Sequence, residues 1–192
     1  MIGILLAAGF SRRFGKANKL LHLLPNGFSV GFTSAKNLID VLPVSIAVVQ
    51  PDSQELAKQF ELAGLQVVTC MNTQGMAFSL AAAAKYAAKL PESSGGFVIA
   101  LADMPFIRTA SIEMVAKRLG QGSHPIVLPT YQGSRGHPVG FAAKFRSELE
   151  KLQGDEGARS IVKYHADEVC AVDCEDPGIL MDIDTQADLA GI

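Results

Sequence analysis

A chain of 192 residues, 48% apolar and 19% charged, is long enough to bury one substantial core and short for two, so a single domain over residues 1–192 is expected. A formal charge of −2 at pH 7 excludes a broad basic face for nucleic acid or anionic membrane, and any cationic site must be local. The odd set Cys70, Cys170 and Cys174, with no C-x-x-C pair, argues against a disulfide framework and fits a reduced, cytoplasmic protein.

The first predicted element is the strand "IGILLAA". "MIGILLAAGF" has the apolarity of a secretory core but lacks a basic leader and runs straight into "SRRFGK". No run approaches the roughly 20 apolar residues of a membrane helix, so no membrane span is expected. Strand "VSIAVV" follows, then helix "SQELAKQFELAG", strand "LQVVTC" and helix "MAFSLAAAAKYAAKL". "PESSGG" reads as a surface loop, "GFVIALAD" as a strand, "TASIEMVAKRLG" as a helix and "PIVLPT" as a strand. "TYQGSRGHPVGF" reads as an irregular excursion over the sheet, and strands "VCAVD" and "ILMDID" lead to a final helix from Thr185. The alternation predicts an α/β fold. Near-continuous apolar strands predict a mostly parallel central sheet with helices on both faces, three layers in all. Ligands in such sheets gather at the carboxyl ends of the strands, beside a switch in strand order.

The turn after the first strand sets Arg12, Arg13, Lys16 and Lys19 around Gly9 and Gly15 with no acid among them. Gly9 permits a positive φ and a close approach of backbone N–H groups to a ligand, and the cations suit phosphate oxygens. The turn is not a Walker loop, because five residues separate the glycines and Ala17 follows Lys16. Nor does it carry G-x-G-x-x-G. The plainer reading is a glycine-shaped βα turn with solvated cations, weakened here by the self-repulsion of four uncompensated charges.

Two apolar segments end in acids. Asp103 closes "GFVIALAD" just before Pro105, a place suited to a Mg²⁺ ligand, which takes one or two carboxylates plus substrate phosphates. The alternative is that Asp103 caps the helix starting near Thr109. Asp182 and Asp184 end "ILMDID", where strand alternation puts both on one side, and either can complete a metal site with Asp103; Asp184 is equally suited to an N-cap.

These residues resemble a known family. "LAAGFSRRFGKANKLL" looks like the L-A-A-G-x-S-x-R-x-G-x-x-K signature of MobA-like nucleotidyltransferases, with one extra residue before Lys19. "LADMPFI", "RGHPVGF", "GDEGARSIV" and "DIDTQADL" match further blocks in order, and together they resemble the molybdenum cofactor cytidylyltransferase (MocA-like) branch, from about residue 4 onward. The chain departs from the pattern where "LLHLLPNGFSVGFTSAKNL" lacks a G-x-P-L segment and Gln186 stands where the family prefers Pro.

The resemblance implies a Rossmann-like nucleotidyltransferase fold. It also implies transfer of CMP from CTP to the terminal phosphate of molybdopterin carrying molybdenum, with release of pyrophosphate. Ala8 matches the cytidylyl "LAAG" rather than the guanylyl "LAGG". Carried over, Arg13 and Lys19 hold the triphosphate, Ala7, Ala8 and Gly9 face base and sugar, and Gly75, Met76, Ser79 and Leu80 form a turn near the base. Asp103 is the Mg²⁺ carboxylate, with Mn²⁺ the other candidate ion, and Asp184 and Asp182 are on the metal side. Gly136, His137, Pro138, Asp155, Gly157, Ala158 and Arg159 face the acceptor. A molybdenum hydroxylase is the implied partner. Two alternatives stay open: a guanylyl- or sugar-phosphate nucleotidyltransferase on the same fold, and a non-catalytic molybdenum cofactor carrier or insertion chaperone.

Overall fold

The computed structural model describes residues 1–9, 14, 18–71, 75–154 and 157–189. In chain order the elements are β1 (Ile2–Leu6), α1 (Val30–Ile39), β2 (Ser45–Val49), α2 (Gln54–Ala63), β3 (Gln66–Thr69), α3 (Met76–Ala87) and β4 (Phe97–Leu101). Then come α4 (Thr109–Gly120), β5 (Ile126–Tyr131), β6 (Ser134–Arg135), β7 (Val139–Phe141), α5 (Arg146–Glu150), α6 (Arg159–Tyr164) and β8 (Val169–Asp173). They build one sheet in the order β3-β2-β1-β4-β7-β5-β6, with β8 added to β5. β3, β2, β1 and β4 are mutually parallel, β7 runs antiparallel to both β4 and β5, and β8 is parallel to β5.

The strands are apolar throughout because both faces are covered. In β1, Leu5 enters one core while Ile2, Ile4 and Leu6 enter the other, as a period of two requires. The first core takes Leu38 of α1, Leu56 and Phe60 of α2 and Val115 of α4; the second takes Leu80, Ala83, Ala84 and Ala87 of α3 with Leu149 and Ile161. The alanines of α3 let that helix lie close against β1 and β2. Ser29 caps α1 by accepting from the Phe32 N–H, and α2 stops at Gly64, whose φ of 101° belongs to the left-handed region that ends many helices. The predicted mostly parallel α/β sandwich is thus the observed fold.

Three local expectations are corrected. "ILMDID" is no strand: Pro177–Leu180 forms a 3₁₀ turn and residues 181–184 run on irregularly. Ile179 and Ile183, 0% and 1% exposed, are the core anchors that gave this stretch a strand's apolarity. No helix begins at Thr185 beyond a 3₁₀ turn over Gln186–Leu189. "TYQGSRGHPVGF" is not an excursion over the sheet but enters it as β6 and β7. Its glycines serve packing. Gly140 lies under Val115 and Leu119, and a Cβ at Gly136 would run into the Ile179 carbonyl oxygen. Between Thr130↔Arg135 and Val127↔Gly140, three steps along β5 oppose five along the returning chain. The two extra residues bulge out at Gly136 to Pro138 and carry His137 out of the ladder.

No helix among the described residues is long and apolar enough to cross a membrane.

Candidate active site

The strand order switches direction between β1 and β4, and the chain leaves both strands at the same end. After β1, Ala7 and Ala8 remain buried, held by the Ala7 N–H donating to Val48 O at 3.0 Å and by Gln50 Nε2 donating to Ala8 O at 2.8 Å. Gly9 is exposed, is not in the left-handed region, and a Cβ there would meet nothing within 4 Å among the described residues. Gly9 therefore does not supply a strained left-handed turn. Arg13, together with Arg12, Gly15 and Lys16, lies outside the described residues.

Lys19 opens a 3₁₀ turn, Lys19–Leu21, capped by Asn18, whose side chain accepts from the Leu20 N–H. Its aliphatic stem is buried and its Nζ reaches Asp103 Oδ2 at 2.7 Å and Asp184 Oδ1 at 2.9 Å. Burial works against the Lys19 charge, but Asp103 and then Asp184 outweigh it and hold the ammonium above its ordinary pKa. Asp103, Asp182 and Asp184 each bring a carboxylate oxygen within 4.8 Å of one another. Three acids from two segments 79 and more residues apart form a compact cluster, and one buried lysine bridges two of them.

The loop bearing Asp103 is braced from α1: Ser34 Oγ donates to Ala102 O at 2.9 Å, and Asn37 Nδ2 to Pro105 O and Ile107 O at 3.0 Å. The Ile183 N–H donates to Asp103 O at 2.9 Å, so the C-terminal arm lies directly along that loop. Asp103 does not cap α4, whose N-terminal amide at Arg108 is served by Asp176. Asp188 accepts from the N–H groups of Thr185 and Asp184 and from the Thr185 hydroxyl, which holds its carboxyl below the usual range.

Beside Asp182 opens a pocket of about 580 Å³. Leu80, Ile99, Leu101, Val139 and Phe141 give it apolar walls, and Arg135, Arg159 and Lys163 give it three cations against the one carboxylate of Asp182. His137, Gly136 and Ala158 also line it, as does Met76, while Pro138 is buried behind. Gly75, with φ 104°, opens α3, and the turn it makes brings Met76 to the rim. There a Cβ on Gly157 would sit 3.4 Å from Met76 Sδ, and the Ala77 N–H donates to Gly154 O at 3.3 Å. The two blocks assigned separately to base and acceptor are therefore in contact. Ser79 is buried, and its hydroxyl finds no hydrogen-bond partner among the described residues. Asp155 lies outside them.

Arg135 and Lys163 are pocket residues the sequence reading did not single out. Lys163 follows Arg159 by four positions, which on α6 places both on one face, so the signal was the helical spacing. Arg135 is the arginine of R-G-H-P itself.

His137 Nδ1 is buried without a hydrogen-bond partner among the described residues. Burial, then the charge of Arg159, pushes the imidazole down to about 4, against a weaker opposing pull from Asp103 and from a hydrogen bond with the Ile99 backbone. In the unfolded chain the same group titrates near 6.5. Below that pH the unfolded state takes up a proton that the native state refuses, so stability falls as pH drops from about 6.5 toward 4. Between pH 7 and 5 this one group removes about 2 kcal/mol. His137→Gln should flatten that segment of a stability profile measured by denaturant unfolding. An unchanged slope in the variant would show that His137 protonates freely in the fold.

No curated protein sequence matches the chain at a significant level. Among solved structures, the chain is similar to Rv0371c from Mycobacterium tuberculosis, at 26% identity and a TM-score of 0.80, covering 100% of this chain and 96% of that one. A manganese complex of Rv0371c aligns with TM-score 0.74 at 23% identity over 100% and 98% of the two chains. A nucleotidyl transferase from Methanothermobacter shares the fold, with TM-score 0.81 at 16% identity over 99% and 94%. Residues 3–169 match the model of the MobA-like NTP transferase domain. The sheet with its switch beside Asp103, the lysine-bridged acids and this match lead to one conclusion: the chain belongs to the MobA-like NTP transferase domain family, whose chemistry is nucleotidyl transfer.

Proposed function

We propose that residues 1–192 form a single nucleotidyltransferase domain that moves CMP from CTP to the terminal phosphate of a molybdopterin-type molybdenum cofactor and releases pyrophosphate. The observation that carries this reading is the convergence of Lys19, Asp103, Asp182 and Asp184 beside a cation-rimmed pocket, in a chain of this family. Ala8 supports cytosine, through the "LAAG" form of the first turn. Apolar walls with Arg135, Arg159 and Lys163 at the pocket suit an acceptor that joins a flat, weakly polar body to a phosphate.

The acceptor phosphate oxygen is already a nucleophile. It forms a bond to the α-phosphorus as the bond to the bridging oxygen of the β-phosphate breaks, and pyrophosphate leaves with that electron pair, so no general base is needed. The work of the chain is to bring two polyanions into line and offset their charge. Arg13 and Lys19 hold the triphosphate and stabilise the departing pyrophosphate. Ala7, Ala8 and Gly9 face base and sugar, and Gly75, Met76, Ser79 and Leu80 serve the turn near the base, as in the family pattern they match.

Asp103, with Asp184 and Asp182, fits a hard divalent cation, Mg²⁺ or Mn²⁺: all donors are carboxylate oxygens, and the cluster already draws a buried cation, Lys19, into contact. When bound, such an ion supplies Lewis-acid neutralisation at phosphate oxygens. The manganese complex of Rv0371c supports divalent metal use. The reading places the protein in the cytoplasm, handing its product to a molybdenum hydroxylase, with no role for nucleic acid or membrane.

The test offers CTP, GTP, ATP and UTP with Mg²⁺ against molybdopterin and, separately, against a sugar phosphate, and reads the product by mass. A cytidylylated pterin with stoichiometric pyrophosphate is expected, and CTP should raise the melting temperature most, since a ligand bound only by the native state stabilises it. A guanylylated product, or a sugar phosphate as the accepted substrate, would overturn the substrate assignment. Binding of the pterin with no pyrophosphate released would make the protein a carrier.

A further inference from the structure

We infer that Asp176 is a positioning residue for the carboxylate cluster, acting through the C-terminal arm on Asp182 and Asp184. The inference rests on the metal reading above. Asp176 is 3% exposed, the only acid in the fold so deeply buried among the described residues, yet no lysine pairs with it. Its charge is met by directed donors. Oδ2 accepts from the Arg108 N–H at 2.9 Å and from Ser111 Oγ at 2.6 Å, and Oδ1 accepts from the Gly178 N–H at 3.0 Å. The Arg108 guanidinium stays outside, its Nε 3.8 Å from Oδ1. A carboxylate that accepts from the start of α4 and from its own following turn ties the segment that follows Asp103 to the segment that leads to Asp182.

What Asp176 holds is the turn Pro177–Leu180, and that turn has no slack. A Cβ on Gly178 would run into the Phe106 carbonyl oxygen, so the turn is pressed against the loop that leaves Asp103. On its other side the Ile179 carbonyl accepts from the His137 N–H at 3.0 Å, and the Gly136 backbone packs on the same oxygen. Four residues on, the Ile183 N–H donates to Asp103 O. The arm is pinned at Asp176, at Ile179 and at Ile183, and the carboxylates of Asp182 and Asp184 flank the last pin. Because no strand ladder fixes residues 181–184, their register against Asp103 depends on these pins.

Asp176→Asn and Ser111→Ala each weaken the first pin without leaving an unpaired buried charge. Mn²⁺ binding is read by electron paramagnetic resonance on each variant, alongside Asp103→Ala, with folding checked by circular dichroism and cooperative unfolding. Outer partners of metal ligands typically contribute 10- to 100-fold in affinity, so both variants, folded, should bind Mn²⁺ about 10-fold more weakly, with kcat reduced and the KM for nucleotide little changed. Restoring the wild-type affinity in Ser111→Thr, which keeps the hydroxyl, is expected as well. Lower melting temperatures with unchanged Mn²⁺ affinity and kcat would overturn the inference and leave Asp176 a structural staple. If Asp103→Ala itself binds Mn²⁺ like wild type, the metal reading falls instead.

Discussion

Asp103→Ala should lower turnover with CTP, Mg²⁺ and acceptor by roughly 10²- to 10³-fold, the usual loss of about 3–4 kcal/mol when a group that organises transition-state charge is removed. The protein should nonetheless stay folded. Asp103 sits at the surface end of β4 with a partly exposed side chain, while the loop around it is held by backbone contacts to Ser34, Asn37 and Ile183 that the substitution leaves alone. The check is single-turnover kinetics beside a melting curve. Near-normal turnover would remove Asp103 from the machinery. A collapse of the melting transition would show that its role is structural.

Lys19→Met should lose turnover by a similar factor, about 10²-fold or more, for a different reason. Methionine keeps the buried stem and removes only the charge that the cluster pairs with. Without metal, Asp103 and Asp184 then face each other with their cation gone, and stability should fall by about 1–3 kcal/mol. A divalent ion offered to the variant restores the missing positive charge, so Mg²⁺ should raise the melting temperature more in Lys19→Met than in wild type. Nucleotide, which depends on Lys19 itself, should bind more weakly at saturating Mg²⁺. Equal Mg²⁺ stabilisation of the two proteins would mean that the ion and the Lys19 charge act at separate places.

The sequence made the layers legible because burial on both sheet faces leaves a direct mark: Ile2 to Leu6 and Phe97 to Leu101 are apolar without interruption. Position along the chain also located Asp103, since an acid that ends such a strand must sit at its carboxyl end, and Lys19 was visible as one of four clustered cations. The same apolarity misled at Ile179 to Asp184. There Ile179 and Ile183 are buried at a spacing of four, as anchors of an irregular arm, and no local pattern separates that from a strand. β7 was missed for the converse reason. A strand between β4 and β5 whose packing requires Gly140 beneath α4 carries too little apolar signal to be read as core. Asp176 and Ser111 were invisible because their partnership spans 65 residues and only folding brings them together. The roles assigned to Arg13 and Asp155 lie outside the described residues and rest on the family resemblance.

One measurement tests the central claim, that the lysine-bearing bend and the distant aspartates act on one polyphosphate. The protein is crystallised with Mn²⁺ and a CTP analogue whose α,β-bridge cannot be cleaved, and the manganese is located by its anomalous scattering. The ion should lie in coordination contact with Asp103 and Asp184 and with the analogue's phosphate oxygens, and Lys19 should have turned from the carboxylates to the β- or γ-phosphate. Manganese bound away from Asp103, or a triphosphate with no contact to Lys19, would contradict the account.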